Sequence, residues 1–220
     1  MTHKAIPTKY AGHTFRSRLE ARWAAFFDVC KWDWEYEPVD LNGWIPDFRL
    51  TSRAPQGNDF HGTSVFVEVK PITKFCQATV NKIQHASKES KNSGEVLLLG
   101  EGLLEGHESY GYGVNESVAY LGWLGERWGE LGDNRQPLSQ GPFGEKGGDG
   151  WAWDYTPLAC NSVPNNDQPY DFRSLDNDYS CRLSGFYDGG HTHDTLYGDA
   201  KKLWGKASSA VQYKGSEASE

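Results

Sequence analysis

The segment Ser64–Lys70 constrains the fold more than any other part of this chain. Valines alternate along it with larger or charged residues, which is the period-two pattern of a β-strand. Pro71 ends the strand, residues 73–90 have the apolar spacing of a helix, and Val96–Leu99 is a continuous apolar run typical of a buried parallel strand. A strand, a helix and a strand in this order form a crossover unit, which is right-handed by strong preference.

Upstream of this unit, the sequence predicts one helix and two further strands. Apolar residues recur at helical spacing over residues 14–29, and Thr14 is a suitable N-cap residue. Residues 32–39 and 44–50 have the composition and alternation of strands, and a polar loop at 51–63 follows them. The first half of the chain is therefore predicted to be an α-β-β-β-α-β unit of the α/β class.

The second half is predicted to be an irregular elaboration rich in glycine and aromatic residues. Fourteen of the 25 glycines lie between positions 100 and 150, which disfavours long regular elements there. Residues 117–131 are interpreted as a helix weakened by glycine, and residues 199–210 as a short helix. We expect a core over 10–100, an elaboration over 101–213 that packs on this core, and a disordered tail at 214–220.

The charges divide unevenly between the two halves. The 220 residues carry a net charge of -8. Residues 1–95 hold 13 Lys and Arg against 11 Asp and Glu, whereas residues 96–220 hold 9 against 19. A phosphate-binding site is therefore expected in the first half, and the acidic second half is best explained as a solvated surface.

Composition and targeting signals indicate a soluble, cytoplasmic protein. No segment approaches the roughly 20 apolar residues that a membrane span requires, so no membrane association is expected. The polar N-terminus lacks the apolar stretch of a secretory signal. The four cysteines are widely spaced, which is unlike a disulfide scaffold and suits a reducing compartment.

Three charged residues on the predicted strands form the strongest candidate for a chemical site. Period-two geometry places Glu68 and Lys70 on one face, about 7 Å apart along the strand. If the strands at 44–50 and 64–70 pair as a hairpin, Asp47 lies beside Glu68. Two carboxylates this close repel unless a cation neutralises them or one of them takes up a proton. A divalent ion such as Mg²⁺ beside a lysine suits the hydrolysis of a phosphodiester.

Several other polar residues are candidates for supporting roles. Glu20 borders the apolar stripe of the first helix and can point toward the carboxylates. Arg16 and Arg18 are candidates for phosphate contacts, and Lys82 and Gln84 on the second helix are candidates for substrate binding. Solvated helix faces commonly carry such residues, so an ordinary surface role remains the alternative for each of them.

The pattern Pro46-Asp47 followed by Glu68-Val69-Lys70, in an α-β-β-β-α-β frame, resembles the PD-(D/E)XK nuclease superfamily, which has a restriction-endonuclease-like core. The resemblance covers residues 10–100. The stretches 15–23, 34–38 and 44–48 are similar to a small phage and bacterial branch of that superfamily.

The resemblance implies a role for each residue of the site. Asp47 and Glu68 would hold the metal, with the main-chain carbonyl of Val69 as a frequent further ligand, and Lys70 would be catalytic. Glu20 would assist from the first helix, and many members place a Lys or Gln on the second helix. The implied cofactor is Mg²⁺, with Mn²⁺ as a substitute.

The implied function is the hydrolysis of DNA phosphodiester bonds in a bacterial or phage-infected cell. Two alternatives stay open: a catalytically silent nucleic-acid-binding protein of the same fold, and a phage-encoded acidic protein that binds and inhibits a host protein. A homodimer is also compatible with the sequence.

Cysteine and histidine residues in the second half raise the question of a zinc site. Cys160 and Cys181 stand alone, and His191 and His193 are two residues apart, so none of them fits the paired spacing of a structural zinc site. A degenerate ribbon without metal is favoured here, and zinc is not expected.

Overall fold

A computed structural model describes residues 5–41, 43–51, 64–89, 95–110, 114–127, 151–161, 168–172, 181–184 and 192–212. In chain order, the described elements are β1 (Thr8–Tyr10), β2 (His13–Phe15), α1 (Arg18–Cys30), β3 (Trp34–Tyr36), β4 (Phe48–Thr51), β5 (Ser64–Val69), α2 (Gln77–Glu89), β6 (Glu95–Tyr110), β7 (Val114–Arg127), β8 (Trp151–Asn161), β9 (Tyr170–Phe172), β10 (Thr192–Asp194) and α3 (Tyr197–Ala210).

The fold is mixed α/β and is built on one large sheet. The strand order is β10-β8-β7-β6-β5-β4-β3, with β9 also paired to β8, and β1 and β2 form a separate hairpin. The two pairings that matter most for the site agree with the hairpin considered for Asp47 and with the crossover unit. β4 and β5 are antiparallel with Phe48 opposite Val67, and β5 and β6 are parallel with Val67 opposite Leu97. From α1 to β6, the element order is α-β-β-β-α-β, as the sequence predicts.

The sheet carries a hydrophobic core on each face. Alternate residues of the buried strands point to opposite sides, so Val67 and Leu97 join the core under α1 and α3, whereas Phe66 and Leu98 join the core under α2. Trp23 of α1 is fully buried in the first of these cores. The predicted helix at 199–210 is confirmed as α3, which packs against α1. None of the described helices has the length and apolar character needed to cross a membrane.

The first helix begins later than the sequence suggests. Thr14, predicted to be its N-cap, lies in β2 opposite Lys9, so that prediction was wrong. The N-cap is Ser17, whose Oγ accepts a hydrogen bond from the Glu20 N–H at 3.1 Å. A Ser followed three residues later by Glu is the spacing of a capping box. Both residues can form caps, and the pairing of β2 with β1 decides between them.

The prediction of an irregular second half was wrong for the described residues. The segment predicted as a helix at 117–131 belongs largely to β7. β6 continues through the expected boundary at residue 100, although its register with β7 shifts between Leu99 and Leu104. Glycine is tolerated in these strands because large rings cover it. A Cβ at Gly106 would lie 1.6 Å from the Tyr120 ring, and one at Gly125 would lie 2.5 Å from the Trp153 ring. The predicted tail at 214–220 lies outside the described residues.

Candidate active site

The predicted site forms where β4 begins and β5 ends. The pairing of Phe48 with Val67 brings Asp47, immediately before β4, next to the last residues of β5. The N–H of Val69 donates a hydrogen bond to Asp47 Oδ2 at 2.8 Å. Asp47 is 5% exposed and Glu68 is 6% exposed, so two acidic side chains are buried at one end of a hairpin. This juxtaposition is the one that the sequence pattern predicts.

Each of the two carboxylates is contacted by a cation. Lys70 Nζ forms an ion pair with Glu68 Oε1. Arg16 Nη2 lies 3.2 Å from Asp47 Oδ1 and also 2.6 Å from Glu37 Oε1. The side chains of Lys70 and Arg16 are 38% and 57% exposed, so both cations reach the buried acids from the solvent side. An incoming anion could therefore also reach Lys70 and Arg16 from the solvent side.

Burial is the main factor that sets the proton affinity of the site. Burial, followed by the charge of the neighbouring Glu68, raises the pKa of Asp47 from 3.8 to about 7. The positive charge of Lys70 and the hydrogen bond from the Val69 N–H oppose this rise, and Glu20 adds a smaller unfavourable charge. Near neutral pH, the pocket therefore holds more negative charge than its surroundings stabilise, and either a proton or a further cation relieves it.

Stability of the metal-free protein should therefore depend on Asp47. Because the folded protein holds this proton more tightly than the unfolded chain does, the free energy of unfolding should fall as pH rises from about 4 to about 7. Asp47→Asn should flatten this decline and be the more stable protein at pH 8, by at most about 4 kcal/mol, because a tenfold change in proton affinity corresponds to about 1.4 kcal/mol.

Urea unfolding in EDTA from pH 4 to pH 8 measures this effect. The control is Asp199→Asn, at an exposed carboxylate on α3, which should keep the wild-type pH dependence. Identical pH profiles for the wild type and Asp47→Asn would contradict the account of the buried acid.

Glu20 lies near the site, but its oxygens are occupied by local contacts. Oε1 accepts a hydrogen bond from Ser17 Oγ at 2.7 Å, and Oε2 accepts hydrogen bonds from the Tyr36 hydroxyl at 2.8 Å and the Arg16 N–H at 3.2 Å. Burial and the bond to Glu20 raise the pKa of Tyr36 to about 12, so the phenol stays a donor at neutral pH. In this structure, Glu20 holds the capping residue Ser17 at the N-terminus of α1 and acts on Asp47 electrostatically. Ser17 three residues before Glu20 was the available sequence signal for the cap.

The four predicted substrate-binding residues lie at different places. Arg16 contacts Asp47, and Arg18 is half-buried in the first turn of α1. Lys82 is exposed and Gln84 is half-buried on α2. Among the contacts between described residues, no hydrogen bond or ion pair joins Lys82 or Gln84 to the carboxylates, and their assigned role stays a prediction.

Trp44 and Glu37 contact the site without having been predicted to do so. The indole N–H of Trp44 donates to Glu68 Oε2 at 2.8 Å, and Glu37 shares the Arg16 guanidinium with Asp47. Trp44 was assigned to a strand, but it pairs only in an isolated bridge with Leu41, outside β4. A tryptophan two residues before Pro46 carries no sequence signal for a hydrogen bond to a carboxylate on another strand.

The donor atoms of the site suit a hard divalent cation. Carboxylate oxygens from adjacent strands, together with main-chain and solvent oxygens, are what Mg²⁺ prefers. Within the part of the chain that the structure describes, no three side chains of His, Cys, Asp or Glu come together as a metal-binding group. A cation here would therefore depend on the carboxylates of Asp47 and Glu68. The excess negative charge of this buried pair fits such an ion.

The cysteine and histidine residues are distributed as follows. Cys160 of β8 is opposite His193 of β10, and Cys181 is fully buried. All four cysteines are free thiols. His191 lies outside the described residues, and the absence of zinc stays a prediction.

Comparisons with known proteins identify no relative of this chain. No protein-family model matches the chain, and no curated protein and no solved structure is detectably similar to it. The functional assignment therefore depends on the chemistry of the site, which is a pair of buried carboxylates with one lysine and one arginine at its solvent side.

Proposed function

We propose that the chain is a Mg²⁺-dependent nuclease that hydrolyses DNA phosphodiester bonds, in line with the resemblance to the PD-(D/E)XK superfamily. The observation that carries the proposal is the placement of Asp47, Glu68 and Lys70. The two acids are buried side by side on a hairpin, and the lysine contacts one of them from the solvent side. Two carboxylates buried this close repel each other, and a bound divalent cation would offset that repulsion.

Each residue has a chemical task under this proposal. Asp47 and Glu68 would hold the metal, with the Val69 carbonyl as a further oxygen donor. When bound, Mg²⁺ lowers the pKa of a coordinated water and neutralises charge on a phosphate. The Lys70 ammonium orients the attacking water or stabilises the charge that develops on the phosphate. The exposed guanidinium of Arg16 is placed to contact a phosphate oxygen at the mouth of the site.

A second candidate is a nucleic-acid-binding protein that does not cleave. The observation in its favour is that Arg16 and Lys70 already form ion pairs with the two carboxylates. Such a protein would bind DNA without requiring Mg²⁺, and it would leave the strands intact.

The experiment is a cleavage assay on supercoiled plasmid, linear duplex and single-stranded DNA. Mg²⁺ and Mn²⁺ should support cleavage, whereas Ca²⁺ should allow binding with little turnover, because its larger and looser coordination places water and phosphate less well. Undiminished cleavage in EDTA would refute the metal mechanism. Binding without cleavage in every metal would favour the silent protein instead.

A further inference from the structure

Trp44 contacts the site as a rigid donor. Its side chain is 3% exposed, and its indole N–H is 2.8 Å from Glu68 Oε2. The ring packs edge-on against Phe66, with ring centres 6.2 Å apart. The backbone is fixed as well, because Trp44 and Leu41 exchange two main-chain hydrogen bonds of 3.0 Å and 2.8 Å. The direction of the indole N–H is therefore set by packing on one side and by the backbone on the other.

The two donors to Glu68 differ in their freedom to move. Lys70 is more than one third exposed and ends a flexible chain, so its ammonium can turn toward a phosphate. Trp44 has no such freedom. It holds Oε2 and leaves Oε1, the oxygen beside Lys70, at the open side of the site.

We propose that Trp44 is a positioning residue that fixes the Glu68 carboxylate in the orientation needed to bind the metal; this inference rests on the nuclease function proposed above. A hydrogen-bonded outer partner orients a metal ligand and tunes its charge. An indole suits this role because it donates one hydrogen bond and cannot accept one. The fixed hydrogen bond therefore limits the rotation of Glu68 before any metal arrives.

The test compares two tryptophans that make similar hydrogen bonds. Trp44→Phe removes the donor to Glu68 and keeps an aromatic ring. Trp32→Phe is the matched control, because Trp32 is also 3% exposed and donates at 2.8 Å, but to the carbonyl of Tyr170. Mn²⁺ affinity is measured by titration calorimetry on the full chain, and cleavage is measured as a function of Mn²⁺ concentration.

Trp44→Phe should bind Mn²⁺ about 10- to 100-fold more weakly, which is the usual effect of losing an outer partner. Its cleavage rate should approach that of the wild type at saturating Mn²⁺, because the missing contact acts through metal affinity. Trp32→Phe should keep the wild-type values of both. If Trp44→Phe does not fold by circular dichroism, Trp44→Met replaces it, since methionine fills irregular space and has no N–H donor.

Two outcomes would overturn the inference, and they are distinguishable from each other. If the wild type binds Mn²⁺ and cleaves DNA while the Trp44 variant binds Mn²⁺ equally well, the positioning role is refuted and the nuclease function stands. If the wild type neither binds Mn²⁺ nor cleaves DNA, the proposed function fails and this inference fails with it.

Discussion

Asp47→Ala, Glu68→Ala and Lys70→Ala should each lower the rate of Mg²⁺-dependent DNA cleavage by about 100-fold or more, equivalent to roughly 2.7 kcal/mol of transition-state stabilisation. The two acids are the proposed metal ligands, and the lysine is the cation that faces both the acids and the solvent. Single-turnover cleavage at saturating protein measures the effect without contributions from product release.

Asp47→Ala and Glu68→Ala should remain folded, because removing one of two repelling buried acids relieves an unfavourable interaction. Glu35→Ala is the matched control, since it removes a carboxylate from the neighbouring β3 that forms an exposed ion pair with Arg49 of β4. That control should cleave at the wild-type rate. Near wild-type cleavage by Lys70→Ala would contradict the role assigned to the lysine.

Residues 1–100 expressed alone should aggregate instead of forming a small active nuclease. The cut falls within β6 and removes β7, so the buried segment Val96–Leu99 loses one of its two partner strands. It also removes α3, whose Trp204 ring centre lies 4.5 Å from that of Trp23 in the core against α1. Unpaired strand edges and exposed aromatic surface both promote association.

Size-exclusion chromatography and circular dichroism test this prediction. A chain that ends at Gln212 is the control, because it keeps all the described elements, and it should be soluble and monodisperse. A soluble, monomeric and active fragment of residues 1–100 would show instead that the second half is a separable module.

Local patterns predicted the centre of the fold well. The alternation of residues predicted the strand Ser64–Val69, and the continuous apolar run at Val96–Leu99 predicted its parallel partner. A short apolar run of this kind is typical of a strand that is buried on both faces of a sheet. The charged residues of the site lie on or beside these strands, so their spacing was visible in the sequence. For this reason, the meeting of Asp47 with the end of β5 could be predicted before the structure.

Features that depend on distant pairing could not be predicted in this way. Ser17 caps α1 in place of Thr14 because β2 pairs with β1, and both residues have suitable side chains. β7 was mistaken for a helix because its strand character depends on pairing with β6 and β8, and the Trp153 ring that lies against Gly125 comes from β8. Trp44 reaches Glu68 through a turn and a bridge, neither of which has a periodic signal.

The central claim is that Asp47 and Glu68 together hold a divalent metal. Anomalous diffraction from crystals soaked in MnCl₂ tests it most directly, because the anomalous signal of manganese locates the metal and distinguishes it from protein and solvent atoms. We expect one strong peak within coordination distance of both carboxylates, and no peak there in crystals of Asp47→Ala treated in the same way. Mn²⁺-dependent cleavage by the wild type, combined with no anomalous peak at this pair, would contradict the account.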